Sequence, residues 1–112
     1  MLKLLSKYAN IIKEYRIVKY ERAGPSFRLR TEITLLDDSV LYIRETVIKG
    51  EARKYSYHWQ DKSKRLLIRW DNAPDWDVKT FPHHKHIGNE LNVEASYERT
   101  LEQVFKVIAR KF

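Results

Sequence analysis

The chain has 112 residues, 43% hydrophobic and 33% charged, a balance that fits one core-bearing domain over residues 1–112 and excludes a disordered chain. It contains no cysteine, which rules out disulfides and thiolate metal sites. The formal net charge of +7 favours a polyanionic partner such as nucleic acid over an acidic small molecule. Much of that excess lies early, with eight basic residues against two acidic ones through Arg30.

Leu2, Leu4, Leu5, Tyr8 and Ile12 recur at three- and four-residue spacing, so a short amphipathic helix is expected over the first ten residues. Lys3, Ser6, Lys7, Asn10, Lys13 and Glu14 interrupt the same stretch. It is therefore not a signal peptide; with no apolar run of membrane-spanning length either, a cytoplasmic protein is expected. From Ile11 to Arg22 the Ile, Val and Tyr content reads as a strand that ends at Gly24-Pro25. Phe27, Leu29, Thr31, Ile33 and Leu35 then alternate with Arg28, Arg30, Glu32 and Thr34, the pattern of a strand with one face buried. Asp37-Asp38-Ser39 supplies a turn whose short side chains can bond their own backbone, and Val40 to Ile48 is the next strand. Its apolar side is Leu41, Ile43 and Val47, with Glu45 among them.

A connection at Lys49-Gly50-Glu51 leads to Arg53, Tyr55, Tyr57 and Trp59, which alternate with Lys54, Ser56, His58 and Gln60. Asp61 to Lys64 turns the chain again, and Leu66, Ile68 and Trp70 alternate with Leu67, Arg69 and Asp71. Asp71 to Thr100 has neither period. Thr100-Leu-Glu-Gln103 has the form of a capping box, followed by Leu101, Val104, Phe105, Ile108 and Phe112 at helical spacing. The expected fold is α+β: a five-stranded antiparallel β-meander, with a short N-terminal helix and a longer C-terminal helix packed on one face.

If the helices cover the side carrying Phe27, Leu29, Ile33, Tyr55, Tyr57, Trp59, Leu66, Ile68 and Trp70, pleating sends Arg28, Arg30, Glu32, His58, Arg69 and Asp71 to the other side. The segment from Arg69 to Gly88 holds three of the four histidines, and folding it back would bring them to that side. Three chemistries fit these groups. In RNA scission without metal, a neutral imidazole takes the proton of a 2′-hydroxyl, a protonated one supplies the leaving oxygen, and cations hold the phosphate. Catalytic candidates are His58, His83, His84, His86 and Asp71; substrate-binding candidates are Arg44, Arg69, Lys85, Tyr57, Asn72 and Trp76. In metal binding, His84 and His86 point the same way along an extended segment, and Asp71, Asp75 or Asp77 adds an oxygen ligand. In the third reading the sheet binds nucleic acid without cleaving it, basic residues tracking phosphates and aromatics such as Trp76 and Phe81 stacking on bases.

Tyr55-Ser-Tyr-His-Trp-Gln60, Arg69-Trp-Asp-Asn-Ala-Pro74 and Thr80-Phe-Pro-His-His-Lys-His86 stand in that order after Asp37-Asp-Ser39 and Ile43-Arg-Glu45. Together they resemble the TumE-like family of small prokaryotic toxins over nearly the whole chain. The matching positions include Arg44, Glu45, Tyr57, His58, Arg69, Asp71, Asn72, Pro74, His83, His84 and His86. One departure is Asp75-Trp76, where histidines often follow the Ala-Pro pair in the family pattern. The resemblance implies a cytoplasmic growth inhibitor restrained by a helix-turn-helix antitoxin, with RNA as the target. The expected function is thus an RNA-cleaving toxin with metal-independent histidine chemistry favoured and no cofactor expected, a divalent metal at His84, His86 and Asp71 being the variant. A homodimer is compatible with this reading. The alternative function is a non-catalytic nucleic-acid-binding or antitoxin-binding module.

Overall fold

The computed structural model describes residues 1–112. The N-terminal apolar stripe winds into a helix, α1 (Leu2–Lys7), followed by a 3-10 turn at Ala9–Ile11. Only Leu5 and Ile11 of this segment are fully buried, so the helix is held by docking rather than by length, as a six-residue helix must be. The chain then enters a seven-stranded sheet whose spatial order is its sequence order. The strands are β1 (Ile12–Ala23), β2 (Ser26–Leu35), β3 (Val40–Val47), β4 (Lys54–Gln60), β5 (Leu66–Asp71), β6 (His84–Ile87) and β7 (Val93–Ala95). Each is antiparallel to the next. The C-terminal helix α2 (Leu101–Ala109) carries the expected capping box: Thr100 Oγ1 accepts the Gln103 N–H and Gln103 Oε1 accepts the Thr100 N–H.

The turns follow from local chemistry. Gly24 takes φ 59° at the β1–β2 corner, a conformation that costs glycine little. At the β2–β3 turn the Asp37 carboxylate accepts both the backbone N–H and the hydroxyl of Ser39. Asp61 does the same before β5, accepting from the Ser63 and Arg65 amides.

Both helices cover one side of the sheet. Leu101, Val104, Phe105 and Ile108 of α2 pack with Leu5 and Ile11 on Ile33, Leu35, Leu41, Ile43, Tyr55, Tyr57, Trp59 and Trp70. Phe105 stacks on Tyr8 with ring centroids 4.9 Å apart. Alternation along β4 is strict, Tyr55, Tyr57 and Trp59 buried between residues that are not. Glu45 does lie on the core side, and its carboxylate has a partner there. It accepts from the Tyr57 hydroxyl, which in turn accepts from Arg53 Nη1 at 3.0 Å. Burial, then the facing Glu45 carboxylate, pushes the Tyr57 phenol far above its ordinary range. No helix is long and apolar enough to cross a membrane.

The expected five-stranded meander is correct in its strands but short by two: the sheet has seven. The addition is β6 and β7, which occupy part of the segment without apolar period. In β6 the residues that alternate into burial are His84 and His86 rather than aliphatics, so the period of two is present but written in imidazoles. Three-residue β7 is too short to show a period at all.

Candidate functional site on the open sheet face

The sheet register places the polar residues of the uncovered side in two adjacent rows. Directly paired residues run Glu32, Tyr42, His58, Arg69, His86 across β2 to β6. One step away run Arg30, Arg44, Ser56, Asp71, His84. Paired residues on one face stand about 5 Å apart at Cβ, so neighbours along each row are within side-chain reach of one another. A groove of about 500 Å³ follows them, lined by Arg30, Tyr42, Arg44, Ser56, His58, Gln60 and Arg69. A second, of about 390 Å³, shares Arg44, Ser56 and Arg69 and continues past Asp71 and Asn72 to Pro74.

Positive charge dominates the groove. Arg30 and Arg44 are paired directly across β2 and β3, and neither is within ion-pair reach of a carboxylate, whereas Glu32 is taken by Arg16 at 2.6 Å. Like charges so placed repel. An anion between them removes that repulsion.

His58 sits at the next position of the neighbouring row. Arg69 Nη1 lies 3.3 Å from His58 Nδ1, and because guanidinium can only donate, Nδ1 accepts. The ring proton is then on Nε2, which donates to Gln60 Oε1 at 3.2 Å. Burial and the adjacent Arg69 charge hold this imidazole below its ordinary value. A neutral ring beside a cationic groove is a proton acceptor.

Deeper in the face, Asp71, His84 and His86 are all buried, and one ligand atom from each falls within a span of 4.8 Å. Asp71 Oδ1 accepts the Ala73 N–H at 3.0 Å, and Oδ2 accepts from Arg69 Nε at 2.9 Å. His84 Nδ1 is 2.9 Å from the Pro82 carbonyl and His86 Nδ1 is 2.7 Å from the Glu90 carbonyl. A carbonyl only accepts, so both rings carry a proton on Nδ1. Their Nε2 atoms then converge on the carboxylate, at 2.9 Å from Oδ1 for His84 and 3.5 Å from Oδ2 for His86. The His84 approach is close but out of line, and its buried Nε2 has no hydrogen-bond partner. The two rings meet edge to face at 4.8 Å. Trp76, from the β5–β6 connection, closes over them with its ring 5.5 Å from His86 and 6.5 Å from His84. This trio can hold a metal ion.

Of the residues singled out by sequence, the structure brings His58, Arg44, Arg69, Asp71, His84 and His86 to one face. It places others elsewhere. His83, one residue before the strand, turns to the opposite side, where Nδ1 lies 2.9 Å from the Tyr55 hydroxyl and the rings stack at 5.8 Å. Tyr57 is fully enclosed in the helix-covered core. Lys85 falls between the two buried imidazoles and is paired with Trp70 and Glu94. Asn72 is committed to backbone, accepting the Tyr55 N–H at 3.1 Å and donating to the Arg53 carbonyl at 2.7 Å. Trp76 packs on the imidazoles rather than standing free in solvent. Sequence reasoning assigned Arg30 to this face without giving it a role; its alternation with Leu29 and Thr31 was the available signal. The Pro82 and Glu90 carbonyls, which fix the ring protons, leave no sequence signal.

No curated protein and no solved structure matches this chain. A family model described as Toxin TumE matches residues 1–112, so the chain that builds this face belongs to the TumE toxin family.

Proposed function

We propose that the chain is the toxin half of a toxin–antitoxin pair and that it arrests growth in the cytoplasm by cutting RNA on the open face of its sheet. A toxin family implies an antitoxin partner; the resemblance noted above points to a helix-turn-helix protein for that role. The observation that carries the RNA reading is the unpaired Arg30 and Arg44 couple beside Arg69 and His58. Guanidiniums so arranged suit the planar, bidentate recognition of phosphate.

In this reading Arg30, Arg44 and Arg69 hold the scissile phosphate and stabilise charge as it develops. His58, kept neutral by burial and by Arg69, takes the proton of the attacking 2′-hydroxyl as Arg69 shifts from its ring to the phosphate. The departing oxygen takes its proton from solvent water; the Asp71, His84 and His86 trio lies one cross-strand step further on and borders the groove at Arg69. Asp71 also orients Arg69 through the 2.9 Å Nε contact.

The test is cleavage of RNA by the purified chain beside Arg44→Ala and His58→Ala variants, with binding measured in parallel. Cleavage lost in both variants while fold is retained supports the proposal. Tight RNA binding without cleavage by the parent chain under any condition, with or without added divalent metal, favours the non-catalytic module instead.

A further inference from the structure

We infer that Asp71, His84 and His86 form a binding site for one divalent transition-metal ion of the zinc class, three protein ligands leaving a coordination position for a further ligand. The first support is proton bookkeeping. Each imidazole spends its N–H on a backbone carbonyl, Pro82 for His84 and Glu90 for His86. In its singly protonated form each ring therefore presents a lone pair to Asp71, and a carboxylate has only lone pairs to offer in return. Acceptors meeting acceptors in a buried place are unfavourable unless a cation stands among them.

The second support is the pattern of outer contacts. Histidines that ligate metals donate their remaining N–H to a carbonyl or carboxylate, which fixes both tautomer and ring direction. Both rings here have that contact. Asp71 is likewise anchored, by the Ala73 amide on Oδ1 and Arg69 on Oδ2, and a carboxylate with four acceptor directions keeps capacity for a metal after accepting two hydrogen bonds.

The third is distance. With metal–ligand bonds of about 2.0–2.2 Å, neighbouring ligand atoms on one ion stand roughly 3–3.5 Å apart. The imidazole nitrogens lie 2.9 Å from Asp71 Oδ1 for His84 and 3.5 Å from Oδ2 for His86, and a set of one ligand atom from each residue spans no more than 4.8 Å. The orphaned Nε2 of His84 is the atom such an ion would satisfy. Two imidazoles and one carboxylate select a borderline transition ion over magnesium or calcium, which prefer all-oxygen shells. Three protein ligands leave a zinc-class ion with a position for water or a phosphate oxygen.

Catalytic use of this ion rests on the proposed RNA chemistry, but its binding does not, and the experiment measures binding alone. The full chain, freed of metal by chelator and dialysis, is titrated with Co2+ and then with Zn2+, following cobalt absorption and heat. Asp71→Asn, His84→Gln and, as a control outside the trio, His83→Ala are titrated alongside, each checked for fold by circular dichroism. One equivalent is expected to bind the parent and His83→Ala, while the two ligand variants weaken by at least ~100-fold, since even losing an outer contact costs 10–100-fold. Failure of the parent chain to bind either ion stoichiometrically overturns the inference, whatever the variants do. So does binding that persists undiminished in folded Asp71→Asn and His84→Gln. Metal bound without RNA cleavage leaves the site standing and removes the proposed function; cleavage by a chain that binds no metal does the reverse.

Discussion

Replacing Asp71 by asparagine in the metal-free chain separates two accounts of the buried trio. If each imidazole presents a lone pair, the carboxylate is poorly matched to its neighbours, and an amide is a better fit. The substituted side chain can keep its oxygen on the Ala73 amide, where Asp71 Oδ1 now lies at 3.0 Å. Its nitrogen then replaces Oδ2 and can donate to His86 Nε2, now 3.5 Å away. That hydrogen bond contributes about 1 kcal/mol net. Against it stands the lost pair with Arg69, whose side chain is 33% exposed and can turn to solvent, so its loss costs about 1 kcal/mol. The two nearly cancel. If instead both rings were imidazolium, removing the carboxylate would leave buried charges unpaired and cost ~3–5 kcal/mol. Urea unfolding at pH 8 in chelator, where free imidazole carries a single ring proton, distinguishes the cases. A change within about 1.5 kcal/mol is expected from the cancellation of these contributions. A loss of about 3 kcal/mol or more, the buried-charge penalty, would refute the lone-pair reasoning and with it the chief ground for a metal. Added zinc at a hundred times its dissociation constant should then stabilise the parent by about 2.7 kcal/mol and leave the variant unmoved.

Three further outcomes follow from single contacts. Thr31 Oγ1 is buried on the core side without a partner, paired across strands with Ile43; Thr31→Val should raise unfolding free energy by about 1 kcal/mol in urea titration, since a desolvated, unbonded hydroxyl is lost at nearly constant shape. Tyr57→Phe should lower it by about 1–3 kcal/mol, because the buried hydroxyl links Arg53 to the Glu45 carboxylate and its loss takes one hydrogen bond from each of these half-buried groups; an unchanged denaturation midpoint would count against that linkage. His58 is held below 6.5 in the fold, so between its folded value and 6.5 the unfolded chain binds more protons than the native one, and stability rises with pH through that window. Acidification from pH 7 to 5 should therefore destabilise the parent more than His58→Gln; equal slopes in thermal melts at the two pH values would contradict the burial and Arg69 effects.

The first five strands were legible because each buries aliphatic or aromatic residues on one side, and a period of two in apolar residues is what sequence shows plainly. The capping box at Thr100 was legible for a similar reason: its two side-chain bonds are local and need no tertiary partner. Glu45 looked out of place among Leu41, Ile43 and Val47 because its partner lies on another strand. Only the β3–β4 register and the approach of Arg53 bring the Tyr57 hydroxyl to it. The N-terminal helix ended early, at Lys7, its continuation tightening into a 3-10 turn that delivers Ile11 to the core.

At the site the same logic divides what could be read from what could not. That His84 and His86 share a side follows from their spacing alone in an extended chain, and by that rule His83 and Lys85 must face away. Grouping all three histidines by proximity in sequence overlooked this consequence of pleating. Whether the pair would meet Asp71 depended on β6 adding to β5 in the register that sets His84 beside Asp71 and His86 beside Arg69; a slip of one residue would have sent both imidazoles to the helix side. Nothing in the histidines themselves determines that register. Trp76 explains how it is tolerated: strands whose buried face is polar need a cover, and an indole packed across both rings shields them from water without competing for their nitrogens. Trp76 contributes cover and two backbone carbonyls fix the Nδ1 protons, so the placing of Asp71 against two Nε2 atoms is imposed by groups that have no chemistry of their own. That division of labour is why the sequence could point to this segment while the arrangement of its acceptors became visible only in three dimensions.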